Sequence, residues 1–171
     1  MANSTNGNGN DIGGAGQGPN QASVQVQVAA QYIKDLSFEN PNVTRLLSGP
    51  GESPNLQLEI NVGAKNISED LYESEIDFKG HATNDEGTIY EIELIYAGLF
   101  RVKNIPSEAL EPFLLINCPS LIFPFLRRLV ADITREGGFP PLLLDPVDFA
   151  SLFAQRKQAA VEQGATSVKP S

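Results

Sequence analysis

The chain has 171 residues and is 41% hydrophobic, enough for one folded unit with a sizeable core. It carries 12 Lys and Arg against 21 Asp and Glu, a formal charge of −9, which argues against duplex nucleic acid or an anionic membrane as partner, because both demand surplus cations. The single cysteine, Cys118, excludes an intrachain disulfide and a cysteine metal cluster within one subunit, and it fits a reducing compartment.

Residues 1–22 are mostly Asn, Gly, Gln and Ser. Such a segment cannot offset the entropy of ordering, so disorder is expected there, and again in a flexible tail over 164–171. The folded unit is expected over 23–163. Met1 to Asn6 has no basic region and no apolar run, so no signal peptide is read and a cytoplasmic location is expected.

Val24, Val26 and Val28 alternate with Gln25 and Gln27, the pattern of a first strand. Asn40-Pro41 to Pro54, rich in Pro, Gly and Ser, suits a crossover better than a tight hairpin. Leu56, Leu58, Ile60 and Val62 form a second stripe of period two. Leu71 to Thr83 predicts a third strand and Thr88 to Val102 a fourth. Asn84-Asp85-Glu86-Gly87 between them has the short polar side chains and the Gly of a hairpin turn, so this pair should be antiparallel. Tyr90, Ile92, Leu94 and Tyr96 alternate with Glu91 and Glu93, while Ile95, Phe100 and Val102 complicate a clean division into two faces. Surplus apolar strand surface points to subunit association or a ligand groove.

The period then changes to that of a helix. Leu121, Phe125, Leu129 and Ile133 are spaced by four, flanked by Ile122, Leu126 and Val130. Ser120 is the candidate N-cap, with Pro124 closing the first turn and Gly137-Gly138 ending the helix. The longest apolar run, Leu121 to Leu126, is broken by Pro124 and falls short of the ~20 residues that span a bilayer. A second helix is expected with Asp145 as N-cap, Pro146 at its first position and Gly164 at its end. Strands first and helices last predict an α+β fold with an antiparallel sheet covered by helices on one face.

No residue set carries catalysis or a metal. His81, the only histidine, reads as an exposed strand-end residue, and Cys118 before an apolar helix reads as a buried inert thiol. Ser48-Gly49-Pro50-Gly51 is the densest internal glycine pattern and no GK[ST] follows it, so no nucleotide or other cofactor is expected. From Glu59 to Glu93 ten carboxylates face only Lys65 and Lys79, nearly the whole net charge. Glu91 and Glu93 share a face. A hydrolytic acid pair would need a buried carboxylate, and nothing in the pattern indicates one. Two readings stay open: a solvated face, or a docking face for a basic partner. Tyr32, Phe38, Phe100, Phe113 and Phe139 fall where loops should meet elements, as core packing or as a groove for extended apolar peptide.

Tyr32 to Pro41 (YIKDLSFENP) resembles the signature at the end of the first strand in SecB export chaperones. Cys118 to Arg127 (CPSLIFPFLR) resembles the family's first long helix, and Gly138-Phe139-Pro140-Pro141-Leu142, followed by Pro146-Val147-Asp148-Phe149 and Leu152-Phe153, its second conserved region. The resemblance covers about 23–155. It implies a four-stranded antiparallel sheet with two principal helices, assembled as a homotetramer that is a dimer of dimers. It implies ATP-independent binding of unfolded preproteins in long apolar grooves, with transfer to the SecA ATPase. Carried over by motif, SecA would dock at Asp35, Glu39 and Glu93, and at Glu91, where some relatives carry an apolar residue. Ile92, Leu94 and Tyr96 match the region that affects association between dimers. The client groove would use Leu56, Leu58 and Ile60 with Tyr72 and Phe100. The alternative on the same fold is a chaperone dedicated to a toxin–antitoxin pair; a small acidic enzyme would need a catalytic pair that the residues do not offer.

Overall fold

The computed structural model describes residues 22–46 and 54–166. The expected disorder of residues 1–22 therefore lies, apart from Ala22, outside the described residues, as do residues 47–53 of the Pro/Gly/Ser-rich link and the chain beyond Thr166.

Four long strands form one antiparallel sheet: β1 (Gln25–Glu39), β2 (Asn55–Ser68), β3 (Leu71–Asn84) and β4 (Gly87–Lys103), in the order β1-β4-β3-β2. Strands β2 to β4 are a meander, and β1 pairs with β4 at the far edge. The link after β1, which begins with a short helical turn α1 (Val43–Leu46), must therefore carry the chain from one edge to the other. The crossover expected from its length is thus met. The β3–β4 turn is the expected hairpin. Asn84 Oδ1 accepts the Glu86 N–H at 3.0 Å, and Gly87 takes a φ of 120°, which disfavours any residue with a Cβ.

Strand β4 has a register shift against β3 at its start, where Ala82 faces Tyr90 and Thr83 faces Thr88, and keeps one phase from Tyr90 onward. Its even residues from Tyr90 to Val102 all point to the helices, Phe100 and Val102 included, and both are buried. Ile95 and Leu99 belong to the opposite face, half-buried. Strand β1 behaves differently. It has register shifts between Val28 and Ala30 and between Ile33 and Asp35, each of which flips the side chains that follow. As a result Tyr32 and Asp35 share the outer face although they are three residues apart.

The expected first helix starts much earlier. Helix α2 (Ser107–Pro112) runs through a π-helical segment (Phe113–Asn117) into α3 (Cys118–Glu136). Ser120 is not an N-cap: its hydroxyl donates to the Ile116 carbonyl one turn back at 2.6 Å. Pro119 and Pro124 sit inside a continuous helical path. The wide π turn stands directly before Pro119, where the missing proline N–H leaves the carbonyl ladder irregular. The Leu114 carbonyl in that turn accepts the buried Ser74 hydroxyl from β3 at 2.9 Å. Joined in this way, Ser107–Glu136 is a helix of 30 residues, long and apolar enough by length and composition to cross a membrane, contrary to the reading of the short apolar run. Its apolar side is largely spent on the sheet, where Ile122, Leu126 and Val130 are fully buried against Ile76, Phe78, Leu94 and Phe100. Each such side chain contributes roughly 1.5–3 kcal/mol. Gly98 permits the approach: a Cβ there would lie 2.7 Å from the Phe100 ring and 3.1 Å from Ile122.

Helix α3 ends at Gly137-Gly138 as expected, and Thr134 fastens the loop that follows by accepting the Leu142 N–H at 2.9 Å. Helix α4 (Phe149–Thr166) starts later than expected. Asp148, not Asp145, caps it, accepting the Ser151 N–H at 3.0 Å and the Ser151 hydroxyl at 2.7 Å, and these bonds lower its pKa. The helix also runs past Gly164, where the sequence placed its end, to Thr166.

Candidate functional site

The outer face of the sheet gathers the acidic residues into rows. Glu39 of β1 pairs with Glu91 of β4, which pairs with His81 of β3 and then Gln57 of β2. The next row is Ser37, Glu93, Lys79 and Glu59, and the third is Asp35, Ile95, Asp77 and Asn61. Asp35, Glu39, Glu91 and Glu93 thus occupy one surface on two adjacent strands. Two of the four have partners on β3: Lys79 lies 3.7 Å from Glu93, and His81 Nδ1 lies 2.8 Å from Glu91 Oε1. Among the described residues no cation pairs with Asp35 or Glu39. His81 sits mid-strand opposite Glu91 rather than at a strand end. Cys118 is fully buried, which pushes its thiol up to about 12 and leaves it inert.

Further along the same face one carboxylate is buried, against the expectation that the acidic stretch holds none. Glu73 is 5% exposed and is held by groups from both edge strands. Lys34 donates to it at 2.8 Å, Lys65 lies 3.0 Å away, and the Tyr32 hydroxyl also donates to it. Burial by itself would raise the Glu73 carboxyl, but hydrogen bonds from Lys34, Tyr32 and Lys65 outweigh it and hold it near about 2. Burial, then the bond to Glu73, pushes Tyr32 up to about 12, and bonds to Glu73 and Glu75 raise Lys34. A carboxyl held ionised at neutral pH is no general acid; this one is a charged clasp linking β1, β3 and β2 across β4.

On the opposite side of the sheet, α4 and β2 leave a seam with two openings. One, of about 360 Å³, is lined by Leu58, Ile60, Val147 and Leu152 among others. The other, of about 510 Å³, is lined by Tyr72, Leu110, Leu114, Phe153 and Arg156 among others. Of the residues expected in a client groove, Leu58, Ile60 and Tyr72 therefore meet at this seam. Leu56 is half-buried against the core, and Phe100 is fully buried beneath the helix, so it does not line the seam. The α4 residues were not singled out from the sequence as groove residues. Their only signal is the adjacent pair Leu152-Phe153, whose side chains enter different openings.

Ile92, Leu94 and Tyr96 turn to the same side and are covered by their own subunit, at 1%, 0% and 8% exposure. They offer no contact surface directly. One uncovered apolar surface lies on β1, where Val26, Val28, Ile33 and Leu36 are exposed on the helix side, and on α3, where Leu121 and Phe125 are exposed. Phe123, on the other flank of α3, meets Phe149 at the start of α4 with ring centroids 5.8 Å apart. The Leu121–Phe125 flank is thus the one turned away from α4.

Comparison with known proteins agrees with this architecture. Residues 19–160 match the family model described as preprotein translocase subunit SecB. The chain is 47% identical over 154 residues to the protein-export protein SecB of Rhodopseudomonas palustris (strain TIE-1), covering 90% of this chain and 98% of the relative. It is 49% identical over 142 residues to the protein of the same name from Xanthobacter autotrophicus, covering 82% and 91%. A SecB-like chaperone of Mycobacterium tuberculosis, Rv1957, solved with a ChAD peptide from the HigA1 antitoxin, shares the fold with a TM-score of 0.58 at 16% identity, covering 71% of this chain and 90% of that one.

Proposed function

The chain belongs to the SecB family of protein-export chaperones, and from that premise we propose that it binds unfolded precursor proteins in the cytoplasm without nucleotide and hands them to the SecA ATPase. The observation that carries this reading is 47% identity over 98% of a protein-export relative. The dedicated toxin–antitoxin adaptor has weaker support, since the neighbour bound to an antitoxin peptide is only 16% identical.

Each step has a surface suited to it. Client polypeptide lies along the α4–β2 seam, on Leu58, Ile60 and Tyr72, with Leu56 at its wall and Phe100 supporting it from beneath. Apolar contact and main-chain bonds serve many sequences better than a shaped pocket does. SecA docks on the acidic outer face at Asp35, Glu39, Glu91 and Glu93, where a basic element is drawn in quickly. The exposed apolar strip of β1 and α3 supports assembly into a dimer of dimers. Ile92, Leu94 and Tyr96 act on that assembly through the helix they carry. The test is an aggregation assay on a slowly folding precursor. Near-stoichiometric protein without nucleotide suppresses aggregation, and unchanged aggregation refutes the proposal.

A further inference from the structure

Arg156, which lines the larger opening, stands at the middle of the seam. On β2, Ile60 lines the smaller opening and Ala64 the larger, with Val62 between them; on α4, Leu152 and Ala160 do the same, with Arg156 between them. There the Arg156 guanidinium donates to the main-chain carbonyl of Val62 at 2.7 Å. Strand β2 is an edge of the sheet, so one side of its backbone has no strand partner. Such a row of main-chain groups is what an added strand recognises.

We propose that Arg156 is a latch that holds the Val62 carbonyl and closes the seam in the middle, and that an extended client must displace it to pair with β2. The inference rests on the reading that clients bind along this seam. A guanidinium is always charged, so its bond to a carbonyl is stronger than a neutral one and blocks the edge against casual pairing, including pairing with another copy of the chain. Arg156 is exposed, so the latch is weak enough for a client offering a continuous row of N–H donors to open it. The latch thereby favours long extended segments over short apolar ones, which fill one opening without reaching Val62.

The test uses a labelled synthetic peptide of alternating apolar and neutral polar residues, and a copy with esters in place of its central amides. The ester copy keeps the shape and loses the N–H donors. Arg156→Ala binds the amide peptide about three- to tenfold tighter than the unaltered chain does, and binds the ester copy no tighter. Leu58→Asp, at a site 46% exposed and so tolerant of substitution, is the control for the seam itself and loses both peptides. If Leu58→Asp binds as before, the seam reading fails and the latch with it. If Leu58→Asp loses binding but Arg156→Ala gains nothing, or gains equally for both peptides, the latch is refuted and the seam stands. Unfolding midpoints of both variants exclude loss of fold as the cause.

Discussion

The two faces of this sheet are built from the same four strands but obey different constraints. The helix side is filled by residues whose burial is complete, such as Ile76, Phe78, Leu94 and Phe100. The outer side holds rows of carboxylates with few cations, and most of them remain open to water. In β4 the two regimes alternate residue by residue, since Glu91 and Glu93 are interleaved with Ile92 and Leu94. The difference teaches that parity along one strand separates what stabilises the fold from what is free to bind. Substitutions on the two faces should therefore fail in different assays.

The largest effect is expected on the helix side. Phe100 is fully buried, and Phe100→Ala should cost about 3–5 kcal/mol, read as a lower urea midpoint. Client binding should fall only in step with the folded fraction. If Phe100→Ala weakened client binding at unchanged stability, the ring would belong to the groove after all and the parity rule would break.

The Glu73 clasp is the place where the outer face joins the structural side of the comparison. Its carboxyl sits near about 2 in the folded chain against 4.5 ordinarily, so the folded state favours the ionised form. The stabilisation is therefore complete above pH 4.5 and is lost as the pH falls from there toward 2. Its size is at most about 3 kcal/mol, reduced by screening of the half-exposed Lys65. Glu73→Gln should lower stability at neutral pH and flatten the acid limb of a stability–pH curve. An unaltered acid limb would show that the clasp contributes nothing. Tyr32 supplies the alkaline counterpart: its raised pKa makes its contribution complete below pH 10.0 and lost as the pH rises through about 12.

The clasp also marks where the sequence is opaque. Alternation identified all four strands, and Asn84 to Gly87 identified their central hairpin, because side-chain period and turn chemistry are local. Glu73 looks like any other acid in its stretch. Its partners Tyr32 and Lys34 stand about forty residues away, and they reach it only because bulges in β1 reset the phase of that strand. Backbone irregularity of this kind leaves no mark in a hydrophobic pattern. Pro124 misled for a related reason. It suits the first turn of a helix, but apolar burial on both sides of it and the π turn carried the helix through Pro119 and Pro124. On the candidate site, the shared face of Glu91 and Glu93 was legible because one strand's parity gathers them, whereas Asp35 and Glu39 entered only through the family resemblance. Arg156 was not legible, because its meaning depends on a carbonyl far away on β2.

The smallest effects should appear on the outer face, and with opposite signs. Lys79 and Glu93 lie 3.7 Å apart with both side chains about half exposed, so their pair is worth little to stability, about 0–1 kcal/mol. Their weight falls instead on the field that a basic partner meets. Glu93→Lys replaces a negative charge by a positive one beside Lys79 and should weaken SecA binding about tenfold, mainly through slower association that depends on salt. Lys79→Ala removes the cation and frees Glu93, so the same partner should bind about two- to threefold tighter at low salt. Neither change should move client affinity or the urea midpoint by much. Calorimetry with SecA and with an unfolded client at two salt concentrations separates these outcomes. If both variants weakened SecA, the pair would be a specific contact rather than part of a field. If client binding fell with SecA binding, the two faces would be coupled and parity would cease to divide their work.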